Sequence, residues 1–473
     1  MAKRSNKLLE GPIVRSLLTL AVPIALANVL QAAYQLIDAF WVGRLGGAAV
    51  AAVSVSTPIM FLTIGLGAGL AIAGSTLVAQ YFGARNHDMV DHVAAQTLVM
   101  IVVVSVVLGT LGYLAAPSIL RLMGVAPEVY SGAVGFMRVS FVGLVFNFFF
   151  FMFQSLMRGV GEAKLPVLIV FGTVILNFAL DPLFIFGWGP IPPMGVMGAA
   201  VATVGTQSLA ALIGLGVLLG GRYGIHLAWR DFIPDRAYVK RAFVLGFPGS
   251  IEQSARALGM TVLTFLIASF GTVTVAAYGV GSTVLQVVMI PAMGLTMAVS
   301  TLVGQNIGAG NIDRAARIGR LGSWLGFGTL SAFGVIAFVS APQLVAFFVP
   351  HDAAVIAAGA SYLRIMSLSW GFLGAQFSMT GVLRASGNMM TTMMLTLVSQ
   401  WVLQFPLAYV LSMHTSLHVL GIWWAFPISN VLIALVTIGI YSKGDWKRKR
   451  LIGPEDALGE RVTAEILTEE GAR

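Results

Sequence analysis

Long apolar runs alternate with short polar segments along almost the whole chain. An apolar run of about 20 residues is long enough for a helix to cross the hydrocarbon core of a bilayer. Such runs begin near residues 13, 50, 93, 131, 165, 196, 241, 276, 318, 357, 390 and 419. The pattern predicts an all-α integral membrane protein with twelve transmembrane helices, numbered here as spans 1 to 12.

The composition supports this prediction. Of the 473 residues, 58% are hydrophobic and only 10% are charged, and the mean hydropathy is +0.89. A soluble domain carries more charge than this. The chain has no cysteine, which excludes disulfides, thiolate metal sites and a cysteine nucleophile. The basic N-terminus leads into an apolar run too long for a signal-peptide core, so we expect a retained first helix.

Lysine and arginine collect in alternate loops, chiefly the N-terminal tail, the loop between spans 6 and 7 and the C-terminal tail. A net charge of +9 would indicate a nucleic-acid partner in a soluble protein. Here the basic loops lie on one side, and the positive-inside rule places both termini in the cytoplasm. We therefore expect a multi-pass protein of the plasma (inner) membrane with no nucleic-acid partner.

The chain contains an internal repeat. "STLVAQYFGARNHD" (75–88) returns as "STLVGQNIGAGNID" (300–313), a shift of 225 residues, and a shift of 226 carries Arg158 onto Arg384. Two sets of six spans are related in this way, and both insert in the same orientation because six is even. Parallel repeats place a substrate cavity between two bundles that rock against each other in alternating access.

The repeat divides the chain into four segments. We predict an N-terminal six-helix lobe at 1–220, a cytoplasmic linker at 221–240, a C-terminal six-helix lobe at 241–442 and a cytoplasmic tail at 443–473. From about residue 451 the tail is polar, so we expect it to be solvated.

Polar residues form a stripe on span 1. Asn28, Gln31, Gln35 and Asp38 lie three, four and three residues apart, on one helical face, with Tyr34 beside them. An ionised residue at a helix centre costs roughly 2.5 to 3.5 kcal/mol on insertion scales, so it persists where it faces a cavity, a partner or an ion. The stripe therefore points into the protein.

A second carboxylate lies on span 5. Thr173, Asn177 and Asp181 recur every four residues on one face, and Pro182 disturbs the backbone just beyond. Non-regular backbone at membrane depth is typical of a binding site.

The two carboxylates are predicted to lie at one depth, in the outer half of the membrane. Asp38 and Asp181 lie near the outer ends of their spans, and Thr203 lies one to two turns into span 6. The repeat puts Leu263 and Phe405 at the equivalents of the carboxylates, so the feature belongs to one half only. Two carboxylates sharing a site cannot both stay ionised cheaply, so the pair could exchange a proton or hold Na⁺. The alternative is that they only hydrogen-bond the helices together.

Span 7 carries Glu252 and Arg256 four residues apart, a spacing that favours an intrahelical ion pair over a second coupling site. The run "FNFFFFMFQ" (146–154) offers aromatic surfaces that suit bulky apolar cations. The residues predicted to line a substrate cavity are Asn28, Gln31, Tyr34, Gln35, Asn147, Phe150, Gln154, Glu252 and Arg256.

Several segments together resemble one family. "YQLIDAFWVGRLG" in span 1, "QSLMRGVGEAKLP" after span 4 and "LNFALDPLFIFG" in span 5 are similar to the multidrug and toxic compound extrusion (MATE) transporters, and most to their DinF-like branch. The resemblance runs from Leu8 to about Tyr441. It implies the MATE/MOP-type fold and a V-shaped, monomeric antiporter that expels amphipathic, often cationic, drug-like molecules in exchange for H⁺ or Na⁺. It implies no other cofactor, and no partners beyond those substrates and membrane lipid.

The resemblance also implies residue roles. Asp38, Asn177 and Asp181, with Thr203, look like the family's N-lobe cation site, where H⁺ or Na⁺ would bind. Pro23 looks like the span-1 proline whose bend responds to protonation. Some branches carry acidic residues on spans 7 and 10, but span 10 here has none. We therefore expect coupling to run through the first half.

Other functions stay open at this stage. A lipid-linked saccharide flippase of the same superfamily would share the fold, but it would be expected to carry more basic residues in the cavity than Arg256. An enzyme is disfavoured, because the polar groups include no nucleophile with a base, no metal cluster and no nucleotide loop. A channel fits the composition, but the one-sided carboxylates favour a coupled carrier.

Overall fold

The structure, a computed structural model, describes residues 8–453. The first half contains α1 Ile13–Gly43, α2 Gly47–Gly83, α3 His87–Leu122, α4 Pro127–Val142, α5 Leu144–Gly159, α6 Lys164–Phe186 and α7 Val196–Leu219. The second half contains α8 Arg236–Ala268, α9 Thr272–Gly308, α10 Ile312–Val339, α11 Ala341–Phe348, α12 Ala353–Ser367, α13 Trp370–Ala385, α14 Met389–Leu397, a π-helix Val398–Gln404, α15 Phe405–Met413 and α16 Val419–Lys443.

The membrane spans agree with the hydropathy pattern. Within residues 8–453, nine helical stretches are long and apolar enough to cross a bilayer, and two bent helix pairs raise the number to eleven. The remaining predicted span corresponds to α8, which has 33 residues but includes Glu252 and Arg256 and is the least apolar of the long helices. The prediction of an all-α, multi-pass membrane protein is confirmed.

Two predicted spans are bent rather than continuous. The axes of α4 and α5 differ by 48° and those of α12 and α13 by 51°. The first bend falls at Gly143 and the second at Leu368 and Ser369. Gly143 and Ser369 are 226 residues apart, which is the shift of the sequence repeat. The bend is thus a shared feature of both halves.

Leu26–Ser250 forms one compact unit of the chain. In it, α2 packs on α3, α4 and α5, while α7 packs on α4, α5 and α6. The hydroxyl of Ser155 on α5 donates to the carbonyl of Ala71 on α2 at 2.7 Å. The linker is fastened to the same unit, because the amide of Gln96 donates to the carbonyl of Asp231 at 2.7 Å.

The second compact unit comprises residues 8–25 and 251–453. Within it, α13 packs on α9, α10 and α16. Its largest buried cluster surrounds Tyr362, whose ring lies 4.7 Å from that of Trp423 between centroids and 6.0 Å from that of Phe426. At the end of α16 the chain stays packed, since Trp446 is buried and stacks on Tyr441.

The predicted solvated tail therefore begins later than expected. Ile452 is 4% exposed, so the prediction of a solvated segment from about residue 451 is wrong for this residue. The rest of that predicted tail, 454–473, lies outside the described residues.

Candidate functional site

Three helices of the first unit are held together beside the carboxylates by a small apolar cluster. Val42 at the end of α1 packs with Ala49 of α2, Ile185 of α6 and Ala199 of α7. Next to it, Gly198 lies against the backbone carbonyl of Phe184 so closely that a Cβ would collide with it. This packing fixes the segments of α1, α6 and α7 that carry the polar residues.

Asn177 connects the two carboxyl groups. Its Nδ2 donates to Oδ1 of Asp38 at 2.5 Å and to Oδ2 of Asp181 at 2.9 Å. The carboxyl groups of Asp38 and Asp181 are also close enough to share a hydrogen bond, which requires a proton on one of them. The structure therefore brings the two predicted carboxylates into one site.

Hydroxyl groups complete this network. Thr203 donates to Oδ2 of Asp38 at 3.2 Å, and the Tyr34 hydroxyl donates to Oδ1 of Asn177 at 2.7 Å. The hydroxyls of Tyr34 and Thr206 are 2.5 Å apart. We call Tyr34, Asp38, Asn177, Asp181, Thr203 and Thr206 the carboxylate cluster.

The carboxylate cluster is largely shielded from solvent. Asn177, Asp181 and Thr206 have no exposed surface, Tyr34 is 3% exposed, and Asp38 is half-buried. Among residues 8–453, neither aspartate has a basic side chain as a partner. Two neighbouring buried carboxylates without a counter-charge are unfavourable when both are ionised, so the cluster is suited to take up a proton or a cation.

One atom of the cluster indicates where a cation would bind. Oδ1 of Asp181 is buried and has no hydrogen-bond partner among the described residues. A hard monovalent cation such as Na⁺ prefers carboxylate, carbonyl and hydroxyl oxygens, and Asp38, Asn177, Asp181 and Thr203 offer all three types. A proton on one carboxyl would instead supply the missing donor. The donor set thus fits either ion.

The residues predicted to line a cavity in the first half differ in their placement. Gln31 and Gln35 are exposed, and Asn28, Asn147 and Gln154 are partly buried.

Two of these predictions require correction. Tyr34 is not a cavity residue, because its hydroxyl belongs to the carboxylate cluster. Phe150 is 3% exposed and stacks on Phe153 with ring centroids 6.0 Å apart, so it packs the interior of the unit. Its position in an aromatic run gave no indication of which side chains face inward.

Sequence reasoning missed Thr206. Thr203 and Thr206 are three residues apart on α7 and so share a helical face. That spacing was the available signal once Thr203 had been chosen.

The second unit contains a buried ion pair whose partner differs from the expected one. Glu252 is 1% exposed, and its Oε1 accepts from Arg384 at 2.6 Å and from Arg256 at 3.4 Å. Thr392 and Thr396 also donate to this carboxylate, each at 3.2 Å. The predicted intrahelical pair with Arg256 exists, but Arg384 on α13 is the closer partner.

These features define a class of protein: a multi-pass, all-α membrane protein with a shielded two-carboxylate site on the helices of one half. Comparison with known sequences gives the family. The MatE family profile matches residues 23–183 and 248–410, one stretch in each half, and the chain belongs to this family.

Similar proteins cover nearly the whole chain. The protein named Probable multidrug resistance protein YoeA, from Bacillus subtilis (strain 168), is 31% identical over 94% of this chain and 97% of its own length. Probable multidrug resistance protein YpnP, from the same organism, is 29% identical over 93% of this chain and 98% of its own. The solved structure described as MATE in the bent conformation has a TM-score of 0.88 at 25% identity, covering 94% of this chain and 98% of the other.

Proposed function

We propose that this protein is a cation-coupled multidrug antiporter that exports amphipathic, often cationic, compounds by alternating access, exchanging them for H⁺ or Na⁺. The observation that carries the proposal is the carboxylate cluster, in which Asp38 and Asp181 approach each other without a basic partner among the described residues. Such a pair binds a positive charge more readily than it stays empty. Family membership and the multidrug names of the relatives support the transport class.

In this proposal the coupling ion and the substrate alternate. When H⁺ or Na⁺ occupies the cluster, the charge of Asp38 and Asp181 is partly neutralised and the network around Asn177 is satisfied. When the ion leaves, the two carboxylates repel each other, and this favours a different arrangement of α1 against α6 and α7. Pro23, inside α1, leaves the carbonyl one turn earlier without its helical donor, so this helix bends at low cost.

We further propose that the protein acts as a monomer in the plasma membrane with both termini in the cytoplasm, as the basic loops indicate. The segment 221–240 would then connect the two lobes on the cytoplasmic side. Its packing on α3 within the first unit supports an ordered connection.

Transport by purified protein in liposomes tests the proposal and identifies the ion. A pH gradient or a Na⁺ gradient is imposed separately, and the movement of a fluorescent lipophilic cation is followed. We expect one gradient to drive transport, and we expect Asp38→Asn and Asp181→Asn each to reduce that driven rate at least tenfold. Asp313→Asn serves as the matched control, because Asp313 is an exposed residue in the first turn of α10.

Gradient-driven transport that is unchanged in both cluster variants would reject the proposed site. A protein that moves lipid-linked saccharide but no cationic dye would favour the flippase instead. The two reactions are separable, because the flippase substrate is an anionic lipid and its transfer needs no opposing ion.

A further inference from the structure

A polar cavity lies within the second unit, apart from the carboxylate cluster. It has a volume of about 110 Å³ and is lined by residues of α8, α13, α14, the π-helix and α16. Eleven of its fourteen lining residues are polar or charged, an unusual lining for the interior of an apolar membrane protein. We call this space the second-unit cavity.

The charges around the second-unit cavity sum to a positive value. Its lining includes one carboxylate, Glu252, and two guanidinium groups, Arg256 and Arg384. Glu252 is already satisfied by donors, because both arginines and two threonines bind it. One positive charge therefore remains without a counter-charge in the described lining.

That charge is on Arg256. Its contact with Glu252 is 3.4 Å, against 2.6 Å for Arg384, and 37% of its side chain is exposed, against 18%. Its guanidinium carbon lies 5.7 Å from the ring centre of Phe377, which holds the group flat against an aromatic surface. A guanidinium with spare N–H donors in this geometry is suited to bind a carboxylate through two parallel hydrogen bonds.

Amide groups beside Arg256 also have unused hydrogen-bonding capacity. Gln376 and Gln400 line the cavity, and the Oε1 atom of each is buried without a partner among the described residues. Gln400 belongs to the π-helix and lies where the Cβ of Gly259 would be, so the side chain is held against α8. The widened turn of a π-helix is frequent at functional sites.

The two halves of the repeat thus carry opposite charges at related places. The π-helix 398–404 occupies the position that α6 residues 174–180, including Asn177, occupy in the first half, at a shift of 224 residues. The first half places two carboxylates at this level, and the second half places two arginines and one glutamate. A molecule with charged groups of both signs complements this arrangement better than a simple cation does.

We propose that the second-unit cavity binds an anionic group, a carboxylate, of an amphipathic substrate, with Arg256 as the recognising residue. The proposal rests on the proposed export function and narrows its substrate class to compounds that carry a carboxylate besides their apolar body. Drug-sized ligand sites measure roughly 300–1,000 Å³. The second-unit cavity is smaller, so it holds the charged group and not the whole compound.

Two dyes with the same ring system test this inference. Rhodamine 110 has a free carboxylate, and rhodamine 123 is its methyl ester. Binding of each to the full-length purified protein is measured by fluorescence polarisation, with protein-free detergent micelles subtracted. We expect Arg256→Gln to weaken binding of rhodamine 110 about tenfold or more, as for the loss of hydrogen bonds to a charged group. We expect less than a twofold change for rhodamine 123.

Two further variants separate a binding role from a structural one. Arg256→Lys keeps the charge but loses the planar donor pair, so we expect an intermediate loss for rhodamine 110. Arg364→Gln is the matched control, because Arg364 is an exposed arginine of α12 outside the cavity lining. If Arg256→Gln does not elute as a folded protein, the ratio of the two dyes' affinities in wild type and Arg256→Lys decides.

Three results would overturn the inference. These are wild-type protein that binds only the ester, equal losses for both dyes in the Arg256 variants, and displacement of rhodamine 110 by phosphatidylglycerol, which would assign the cavity to a lipid headgroup. The binding measurement uses no ion gradient. It therefore stays informative if the Asp38 and Asp181 variants show that coupling lies elsewhere.

Discussion

Asp38 on α1 and Asp181 on α6 share one hydrogen-bond donor, the amide nitrogen of Asn177, at 2.5 and 2.9 Å. The shared donor sets the separation of the two carboxyl groups, and hence how strongly each responds to a charge on the other. Removing either aspartate leaves one carboxylate with its partners, whereas removing the amide disturbs both. Asn177 is therefore the residue on which the geometry of the site depends.

Replacement of Asn177 by leucine keeps the approximate volume and removes both hydrogen bonds. Hydrogen bonds to charged groups contribute about 1.5–3 kcal/mol each, so we expect the gradient-driven transport rate to fall at least tenfold. The rate is measured in liposomes with the favoured ion gradient. Asn28→Leu is the control, because the Nδ2 of Asn28 has no partner among the described residues. Equal losses in the two variants would show that the bridge does not matter.

The Tyr34 hydroxyl positions Asn177 from the opposite side of its amide group. Tyr34→Phe removes one neutral hydrogen bond worth about 1 kcal/mol, so we expect the ion concentration for half-maximal transport to shift by about fivefold. The maximal rate should change little, since the carboxylates remain. Tyr113→Phe is the matched control, because the Tyr113 ring lies beneath Arg138 on α3, away from the carboxylate cluster. An unchanged ion dependence in Tyr34→Phe would show that the hydroxyl is not part of the ion site.

Pro23 lies inside α1 and breaks its regular hydrogen bonding. Pro23→Ala supplies the missing N–H, so we expect a straighter and more stable α1 and a transport rate reduced severalfold, with dye binding in the absence of a gradient unchanged. Pro117→Ala in α3 is the control, because it makes the same change in another long helix. A loss of binding together with transport would indicate a local packing defect instead of a conformational one.

The carboxylate cluster was largely predictable because its main residues follow simple rules. Asn177 and Asp181 are four residues apart on one helix, and the positive-inside rule placed Asp38 and Thr203 at their depth. Thr206 is three residues beyond Thr203, but its hydrogen bond with Tyr34 depends on how α1 and α7 are rotated. Hydropathy does not specify that rotation.

The second unit was less predictable for a physical reason. Arg384 reaches Glu252 across 132 residues, and the repeat related it only to Arg158. Whether two distant charges meet depends on helix packing, and the i to i+4 spacing favoured Arg256 instead. The π-helix 398–404 was also not foreseen, because its extra residue per turn has no hydropathy signature.

The ion pair of Glu252 and Arg384 should contribute to folding more than to coupling. Glu252→Gln leaves two arginines in the second unit without a counter-charge, and breaking a buried pair costs about 3–5 kcal/mol. We expect a markedly lower unfolding temperature for the purified protein, while the folded fraction retains gradient-driven transport. Glu128→Gln is the control, because Glu128 is exposed in the first turn of α4. A loss of coupling as complete as in Asp38→Asn, without a loss of stability, would place the ion site in the second unit.

Two glycines of α7 give opposite expectations for one substitution. A Cβ on Gly198 would collide with the backbone carbonyl of Phe184, whereas a Cβ on Gly205 would have no heavy atom within 4 Å. Gly198→Ala should therefore push α7 away from α6 and destabilise the protein by about 1–3 kcal/mol. It should also weaken coupling, because Thr203 moves with α7. Gly205→Ala should be neutral or stabilising by about 0.5–1 kcal/mol, since alanine loses less entropy in a helix. Thermal unfolding followed by tryptophan fluorescence measures both, and equal behaviour of the two variants would contradict the close packing of α6 and α7.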